Sequence, residues 1–194
     1  MDKPGLANVV FLDRDGVINE DSPEYIKSWA EVRFIPGSLE ALRRLTDAGF
    51  AIIIVTNQSA IGRKLITLDD FAYISTRMMQ EIEKAGGRIL DLFFCPHVPD
   101  DGCCCRKPKP GMIHKACKKY TIEMASSSMI GDSARDIECA IAAGCPCTVL
   151  VETGNGKTAK NELGAKGIVP TYVASDLLDA AMWLIANSEQ DPAA

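Results

Sequence analysis

Asp13 and Asp15 are the residues whose types and spacing most directly indicate chemistry. They stand one residue apart, directly after the apolar run at 9–12, which we predict to be the end of a buried strand. Two carboxylates this close at a strand end repel each other and are poorly solvated, so they need compensation, most simply from a divalent cation. A strand-end pair of acids can also merely cap a turn, so the rest of the chain must decide.

Asp132 and Asp136 form a second pair of acids, one helical turn apart, after an apolar segment at 128–130. Together with the first pair they supply enough oxygen ligands for a magnesium site that leaves places for water and a substrate phosphate. The alternative is that Asp132 is a helix N-cap and that Asp136 forms a surface ion pair.

Two further segments carry groups that suit a phosphate. Thr56 and Asn57 offer a hydroxyl, an amide and backbone N–H groups at a strand end, although an ordinary strand-to-helix turn has the same composition. The run at 106–110, Arg-Lys-Pro-Lys-Pro, is basic and stiffened by its prolines. Its lysine could neutralise phosphoryl oxygens and its arginine could bind a phosphate bidentately. A solvated linker is the alternative interpretation.

A metal-ligand pattern occupies the window at 95–105. Cys95, His97, Cys103 and Cys105 would close a tetrahedral site without an open position, which is typical of structural zinc. Cys104 leaves the register open, because it could replace either neighbour or take no part. A cluster of free thiols is the alternative, but a metal would hold together a polar loop that has little core of its own.

Strand and helix patterns alternate along the chain, which predicts a Rossmann-like, doubly wound parallel α/β sheet without a large cap domain. The segment at 19–36 has no sustained period, and we interpret it as a short flap over the strand ends, beside the zinc-binding loop. Ser38 is expected to cap the first helix. The pattern at 163–173 does not indicate a particular secondary structure. The strands are expected at 8–12, 50–55, 90–94, 127–130 and 147–151, and the helices at 39–48, 68–85, 112–120, 134–143 and 177–186, the last with a buried stripe of Leu177, Leu178, Met182 and Ile185.

The chain length of 194 residues predicts one domain of ordinary size, which we place at 1–187 with a flexible tail at 188–194. The net charge of −5 with mixed signs argues against nucleic acid or an anionic membrane as the main partner. We expect a cytoplasmic location, because we see neither a signal peptide nor a transmembrane segment. We also expect the protein to be a monomer. Eight cysteines then indicate metal binding or reduced thiols, and four of them are expected to be buried among apolar residues: Cys117, Cys139, Cys145 and Cys147.

These motifs resemble a known family. Phe11–Gly16, Thr56-Asn57, Lys107 and Gly131–Asp136 are similar, in order and position, to the four motifs of the haloacid dehalogenase-like phosphohydrolases. More closely, DRDGVIN, TNQS, the CPH…C-x-C-RKP…GM loop and GDxxxD resemble the D-glycero-D-manno-heptose-1,7-bisphosphate 7-phosphatases, which act in lipopolysaccharide precursor synthesis. The N-terminal half of the histidinol-phosphatase enzymes is similar as well.

The resemblance implies a magnesium-dependent phosphatase and assigns roles to five residues. Asp13 matches the nucleophile that becomes an aspartyl phosphate, and Asp15 matches the general acid that later acts as a base. Mg²⁺ would bind Asp13, the backbone carbonyl of Asp15, and Asp132. Thr56 and Lys107 match the residues that stabilise the phosphoryl group.

Other positions match substrate contacts or depart from the family pattern. Asp136 is expected to support the magnesium site without binding the ion directly. Ala60 stands where glycine is expected, and Lys64 stands where glycine is common. The positions that match substrate contacts are Asn57, Gln58, Ser59 and Arg106, together with Asp21, Ser22 and Tyr25 on the flap.

Three functions remain open at this point. A sugar bisphosphate has a second phosphate, which Arg106 with Arg63 or Lys64 could bind. Histidinol phosphate has a cationic amine instead, for which the flap offers acids at 20, 21 and 24. A zinc-stabilised binding or redox module working through 103–105 is a reading of a different class.

Overall fold

The computed structural model describes residues 5–188, and six parallel strands in it form one sheet with the order β3-β2-β1-β4-β5-β6. β1 lies in the middle, and the chain crosses from one side of it to the other between β3 and β4. Ligands bind at such a switch point, at the carboxyl ends of the strands. The strands are β1 (Val9–Leu12), β2 (Ala51–Asn57), β3 (Ile89–Cys95), β4 (Ser128–Gly131), β5 (Cys147–Val151) and β6 (Tyr172–Ala174).

Helices cover both faces of the sheet. Because successive side chains of a strand point to opposite faces, Val10 and Leu12 pack into one core and Val9 and Phe11 into the other, all four fully buried. The fold class predicted from the sequence is confirmed. The helices are α1 (Ser38–Asp47), α2 (Ser59–Gly62), α3 (Leu68–Lys84), α4 (Gly111–Tyr120), α5 (Ala134–Ala142), α6 (Gly156–Ala165) and α7 (Leu177–Ser188).

Some local predictions were wrong. Ser38 is the first residue of α1 and is buried, while Gly37 occupies the cap position in a left-handed conformation. Of the stripe predicted on α7, Leu177 is buried, Leu178 and Ile185 are partly buried and Met182 is 46% exposed, because the buried face of the helix consists of Leu177, Ala180, Ala181 and Leu184. The elements α2, α6 and β6 were not predicted.

The flap remains a short irregular segment. Its two ends are joined where Asn19 and Phe34 form an antiparallel bridge, and a single 3₁₀ turn occupies Trp29–Glu31. The Arg77 guanidinium of α3 lies 5.5 Å from the Trp29 ring, which attaches the flap to the body of the fold.

The predicted domain limits remain predictions. α7 continues to Ser188, so the proposed tail does not begin at that residue, and 189–194 lie outside the described residues. Within residues 5–188, no helix has the length and apolar character needed to cross a membrane.

Leu42 of α1 tests how strongly the helix layer stabilises the sheet. It is fully buried, so Leu42→Ala is expected to lower the free energy of unfolding by about 2–5 kcal/mol through lost burial and a residual cavity. Denaturant unfolding measures this. Leu68→Ala is the matched control, because Leu68 is 57% exposed and its truncation should change stability by no more than about 0.5 kcal/mol. Equal losses in the two variants would contradict the assigned packing.

Candidate active site

A cleft of about 390 Å³ opens at the carboxyl ends of β1, β2 and β4. The structure brings to this cleft every residue that the sequence assigned to catalysis, magnesium or substrate. Arg14, Arg63, Arg135 and Asn155 also line it. The predicted residues that line it are Asp13, Asp15, Asp21, Ser22, Tyr25, Thr56, Asn57, Gln58, Ser59, Arg106, Lys107 and Asp132.

Lys107 is the cation at the base of the cleft, with a side chain that is 2% exposed. Its Nζ lies 2.8 Å from Asp13 Oδ1 and 2.6 Å from Asp136 Oδ1, and it donates a hydrogen bond to the Val55 carbonyl at 2.8 Å. Burial opposes the charge on this amine, but the two carboxylates outweigh it and raise the pKa of Lys107 above its ordinary value. The amine therefore stays charged beside Asp13.

Asn57 fixes the backbone that presents this lysine. The Lys107 N–H donates to Asn57 Oδ1 at 3.1 Å, and Asn57 Nδ2 donates back to the Lys107 carbonyl at 3.2 Å. Asn57 was expected to contact substrate. It lines the cleft, and its side chain also joins the end of β2 to the basic segment.

The acids of the cleft carry more negative charge than Lys107 balances. Candidate ligand atoms of Asp13, Asp132 and Asp136 lie within 4.8 Å of one another. Burial is the largest cause that raises the pKa of Asp13 to about 7 and that of Asp132 to about 8, and the neighbouring carboxylates add to it. Three carboxylates around one ammonium leave an excess of negative charge that a divalent cation would neutralise.

The donor set fits Mg²⁺ on Asp13 and Asp132. The Asp13 N–H donates to the Ile130 carbonyl at 3.0 Å, which extends the pairing of β1 with β4 and places the two acids side by side. A Cβ on Gly16 would lie 2.2 Å from Asp132 Oδ2, and one on Gly154 would lie 2.1 Å from it, so two glycines form a cradle around this carboxylate. The carboxylates of Asp13 and Asp132 offer the hard oxygen ligands that Mg²⁺ takes.

Both carboxylate oxygens of Asp136 contact other groups of the protein. Oδ1 pairs with Lys107, and Oδ2 accepts from the Ser133 N–H at 2.9 Å and the Ser133 hydroxyl at 2.7 Å. Ser133, not Asp132, is therefore the N-cap of α5, and Asp136 is buried and not a surface ion pair. These contacts favour a supporting role for Asp136.

Arg14 binds Asp15, the second acid of the first motif, and this role was not predicted from the sequence. Its Nε and Nη2 atoms lie 2.8–3.1 Å from both carboxylate oxygens of Asp15, which also accept from Asn19 Nδ2 at 2.9 Å and Gln58 Nε2 at 2.8 Å. In the sequence, the only indication of this role was a basic residue between two acids. It could not be told from a surface residue without knowing that Arg14 is 2% exposed.

A loop after β5 was also missed. The Asn155 N–H donates to Asp132 Oδ2 at 2.8 Å, its side-chain amide reaches Asp21 Oδ2 of the flap at 3.4 Å, and the Thr153 hydroxyl donates to the Gly16 carbonyl at 2.6 Å. This loop therefore joins Asp132, the turn after β1 and the flap.

The cleft entrance carries arginines. The Arg63 guanidinium lies 5.9 Å from the centre of the Tyr25 ring, and Arg106 Nη1 donates to the His97 carbonyl at 3.1 Å. Lys64 does not line the cleft within the described part of the chain; it has φ 60°, a conformation that suits the glycine common at this position.

Four residues beside the cleft are placed as zinc ligands would be. The Sγ atoms of Cys95, Cys103 and Cys105 are 3.2–3.6 Å apart, and His97 Nδ1 lies 3.5 Å and 3.4 Å from the Sγ atoms of Cys95 and Cys105. Zn–S bonds of about 2.3 Å at tetrahedral angles require S···S distances of roughly 3.7 Å, so the cluster is close to that geometry. Cys104 is exposed and lies outside it.

Known proteins resemble this chain over most of its length. A HAD-hydrolase-like family model matches residues 104–180. The D-glycero-beta-D-manno-heptose-1,7-bisphosphate 7-phosphatase of Bordetella bronchiseptica is 41% identical over 93% of this chain and 99% of its own. The enzyme of the same name from Pseudomonas aeruginosa is 43% identical over 77% of this chain and 83% of its own.

A solved structure shows the same likeness. The crystal structure of D,D-heptose 1,7-bisphosphate phosphatase from B. bronchiseptica, complexed with magnesium and phosphate, superposes with a TM-score of 0.86 at 40% identity and covers 93% of this chain and 99% of that one.

The strand order and the acids at the ends of β1 and β4 are those of a haloacid dehalogenase-like hydrolase. Identity of about two residues in five extends over most of both chains in the Bordetella comparison. The chain belongs to the D-glycero-D-manno-heptose-1,7-bisphosphate 7-phosphatase family.

Gly154 tests the cradle around Asp132. Gly154→Ala would place a methyl group 2.1 Å from Asp132 Oδ2, so we expect weaker Mg²⁺ binding in calorimetric titration. Gly167→Ala is the matched control, because Gly167 also has a positive φ but has nothing within 4 Å of its added Cβ. Both variants should lose about 1–2 kcal/mol of stability from the left-handed backbone. Mg²⁺ affinity that falls equally in both, or in neither, would contradict the cradle.

Proposed function

We propose that this protein is a Mg²⁺-dependent phosphatase that removes the 7-phosphate of D-glycero-D-manno-heptose 1,7-bisphosphate through an aspartyl phosphate on Asp13. The observation that carries the proposal is the buried Lys107 ammonium, 2.8 Å from Asp13 and 2.6 Å from Asp136, at the base of a cleft that Asp132 also lines. The names of the relatives support the substrate, and the magnesium and phosphate in the Bordetella structure support the cofactor and the reaction class.

The first half-reaction transfers the phosphoryl group to the protein. An Asp13 carboxylate oxygen attacks phosphorus, the bond from phosphorus to the C7 oxygen breaks, and Asp15 gives a proton to the departing oxygen. Lys107 and the Thr56 hydroxyl stabilise the charge on the phosphoryl oxygens. Mg²⁺, held by Asp13, Asp132 and the Asp15 carbonyl, supplies the positive charge that screens the attacking carboxylate from the phosphate.

The second half-reaction releases phosphate. Asp15, now deprotonated, takes a proton from a water molecule, whose oxygen attacks phosphorus as the bond to Asp13 breaks. Inorganic phosphate leaves, and both carboxyl groups return to their starting forms.

The second phosphate of the substrate fits the arginines at the entrance of the cleft. Arg106 and Arg63 line the cleft and can supply the cations that this group requires. Lys64 does not line the cleft in residues 5–188, so we do not assign it to this phosphate. Ser22 and Tyr25 on the flap are proposed to contact the sugar, together with Asp21 and Ser59.

The same geometry disfavours histidinol phosphate. Its amine would need acidic partners, but of the three flap acids only Asp21 lines the cleft in residues 5–188. The bisphosphate is therefore the better match.

We also propose that the four-residue cluster holds a structural Zn²⁺ that positions Arg106. Cys105→Ser should abolish zinc retention and lower the thermal midpoint, because the polar loop loses its main crosslink. Cys104→Ser is the matched control and should keep one zinc per chain in metal analysis, together with full activity, which a redox module working through Cys104 would lose. Zinc lost equally from both variants would contradict the ligand set.

Phosphate release from three substrates is the experiment that tests the function. With Mg²⁺ present, we expect the highest kcat/KM for heptose 1,7-bisphosphate, with the β anomer ahead of the α anomer as in the names of the Bordetella and Pseudomonas relatives, and little turnover of histidinol phosphate. Asp13→Asn should remove turnover with the fold intact. Preference for histidinol phosphate would refute the proposed substrate, and activity of Asp13→Asn within tenfold of the parent would refute the mechanism.

The eight cysteines are free thiols, and of the four expected to be buried among apolar residues Cys139 and Cys145 are buried, whereas Cys117 and Cys147 are partly exposed. A cytoplasmic location, a monomeric state and the absence of nucleic-acid and membrane partners remain predictions from the sequence.

A further inference from the structure

Gln58 matches a substrate-contacting position of the family, but its amide group is occupied by the protein. Its side chain lies under the cleft, and the residue is 5% exposed. Nε2 donates to Asp15 Oδ2 at 2.8 Å and to Thr56 Oγ1 at 2.8 Å, while Oε1 accepts from Arg14 Nη2 at 3.1 Å. A glutamine amide has two N–H donors, so neither is left for a substrate.

Arg14 makes this arrangement rigid. It is 2% exposed, its guanidinium pairs with Asp15, and it lies 5.7 Å from the centre of the Phe71 ring on α3. The acceptor side of the Gln58 amide is therefore fixed, which determines the direction of both N–H bonds.

The two N–H groups of Gln58 bind Asp15 and Thr56, which have different roles in the proposed reaction. Because the Thr56 oxygen accepts from Gln58, its own hydrogen must point elsewhere, and the cleft that receives the phosphoryl group is the open direction. Asp15 is held through Oδ2 by Gln58 and through Oδ1 by Asn19, so the plane of its carboxylate is set.

We propose that Gln58 is a positioning residue that aligns the Asp15 carboxyl group and the Thr56 hydroxyl with each other across the transferred phosphoryl group, and that it is not a contact to the sugar. This inference rests on the proposed function, because it assigns the proton transfer to Asp15. It differs from the family-based assignment, which places Gln58 against the substrate.

Gln58→Met tests the proposal, since it keeps the length of the side chain and removes both donors and the acceptor. The probes are p-nitrophenyl phosphate and phenyl phosphate, neither of which carries a sugar. Phenoxide is the poorer leaving group and depends more on proton donation. We expect kcat/KM to fall for both, because Thr56 is misaligned, and to fall about tenfold further for phenyl phosphate, because Asp15 is misaligned as well.

Three controls separate alignment from a structural effect. Gln80→Met makes the same change on the exposed face of α3 and should leave both values unchanged. Thermal unfolding shows whether Gln58→Met is folded. In an Asp15→Asn background, Gln58→Met should no longer discriminate between the two aryl phosphates, whereas a merely structural change would act in either background.

Heptose 1,7-bisphosphate gives an independent readout. Gln58→Met should lower kcat with KM within threefold of the parent, whereas a substrate contact would raise KM. An equal fall for the two aryl phosphates, or a loss confined to the sugar substrate, would overturn the inference. Failure of the parent enzyme on heptose bisphosphate while it hydrolyses aryl phosphates would refute the proposed substrate and leave the result for Gln58 standing.

Discussion

The ion pairs of Lys107 with Asp13 and Asp136 are the interaction on which the rest of the site depends. All three residues lie at the base of the cleft, where the side chains of Lys107 and Asp136 are at most 2% exposed. Removing one member of a buried ion pair leaves an uncompensated charge at a cost of about 3–5 kcal/mol, so the three groups are retained together. The remaining negative charge, with Asp132 close by, explains why this cluster suits a divalent cation, which would in turn screen the carboxylates from an incoming phosphate.

The lysine reaches that position through two anchors on one loop. β3 leads into the cysteine cluster at 95–105, and the basic segment follows at once, so a zinc ion there would fix the start of the segment that carries Lys107. Asn57 then holds the backbone of Lys107 from the end of β2. The cysteine cluster, the end of β2 and the basic segment are thus parts of one support for Lys107.

Sequence reasoning located the acids because a central parallel strand is apolar along its whole length and its polar end is easy to see, and it located Lys107 because a basic run stiffened by prolines stands out at 106–110. It missed α6 and β6, since the stretch at 156–165 is polar and contains glycines, and β6 has only three residues. It also could not show that Asn57 and Gln58 use their side chains within the protein. Those partners, Lys107 and Arg14, come from other loops, and only the fold brings them near.

Direct detection of the covalent intermediate tests the central claim that this charge cluster makes Asp13 the phosphoryl acceptor. The enzyme is mixed with heptose 1,7-bisphosphate and Mg²⁺, quenched with acid within the first turnover and digested, and the peptides are examined by mass spectrometry. A phosphoryl group on Asp13, absent when the substrate is omitted, is the expected result. Complete turnover without any labelled aspartate, or a label on Asp15 or Asp132, would contradict it.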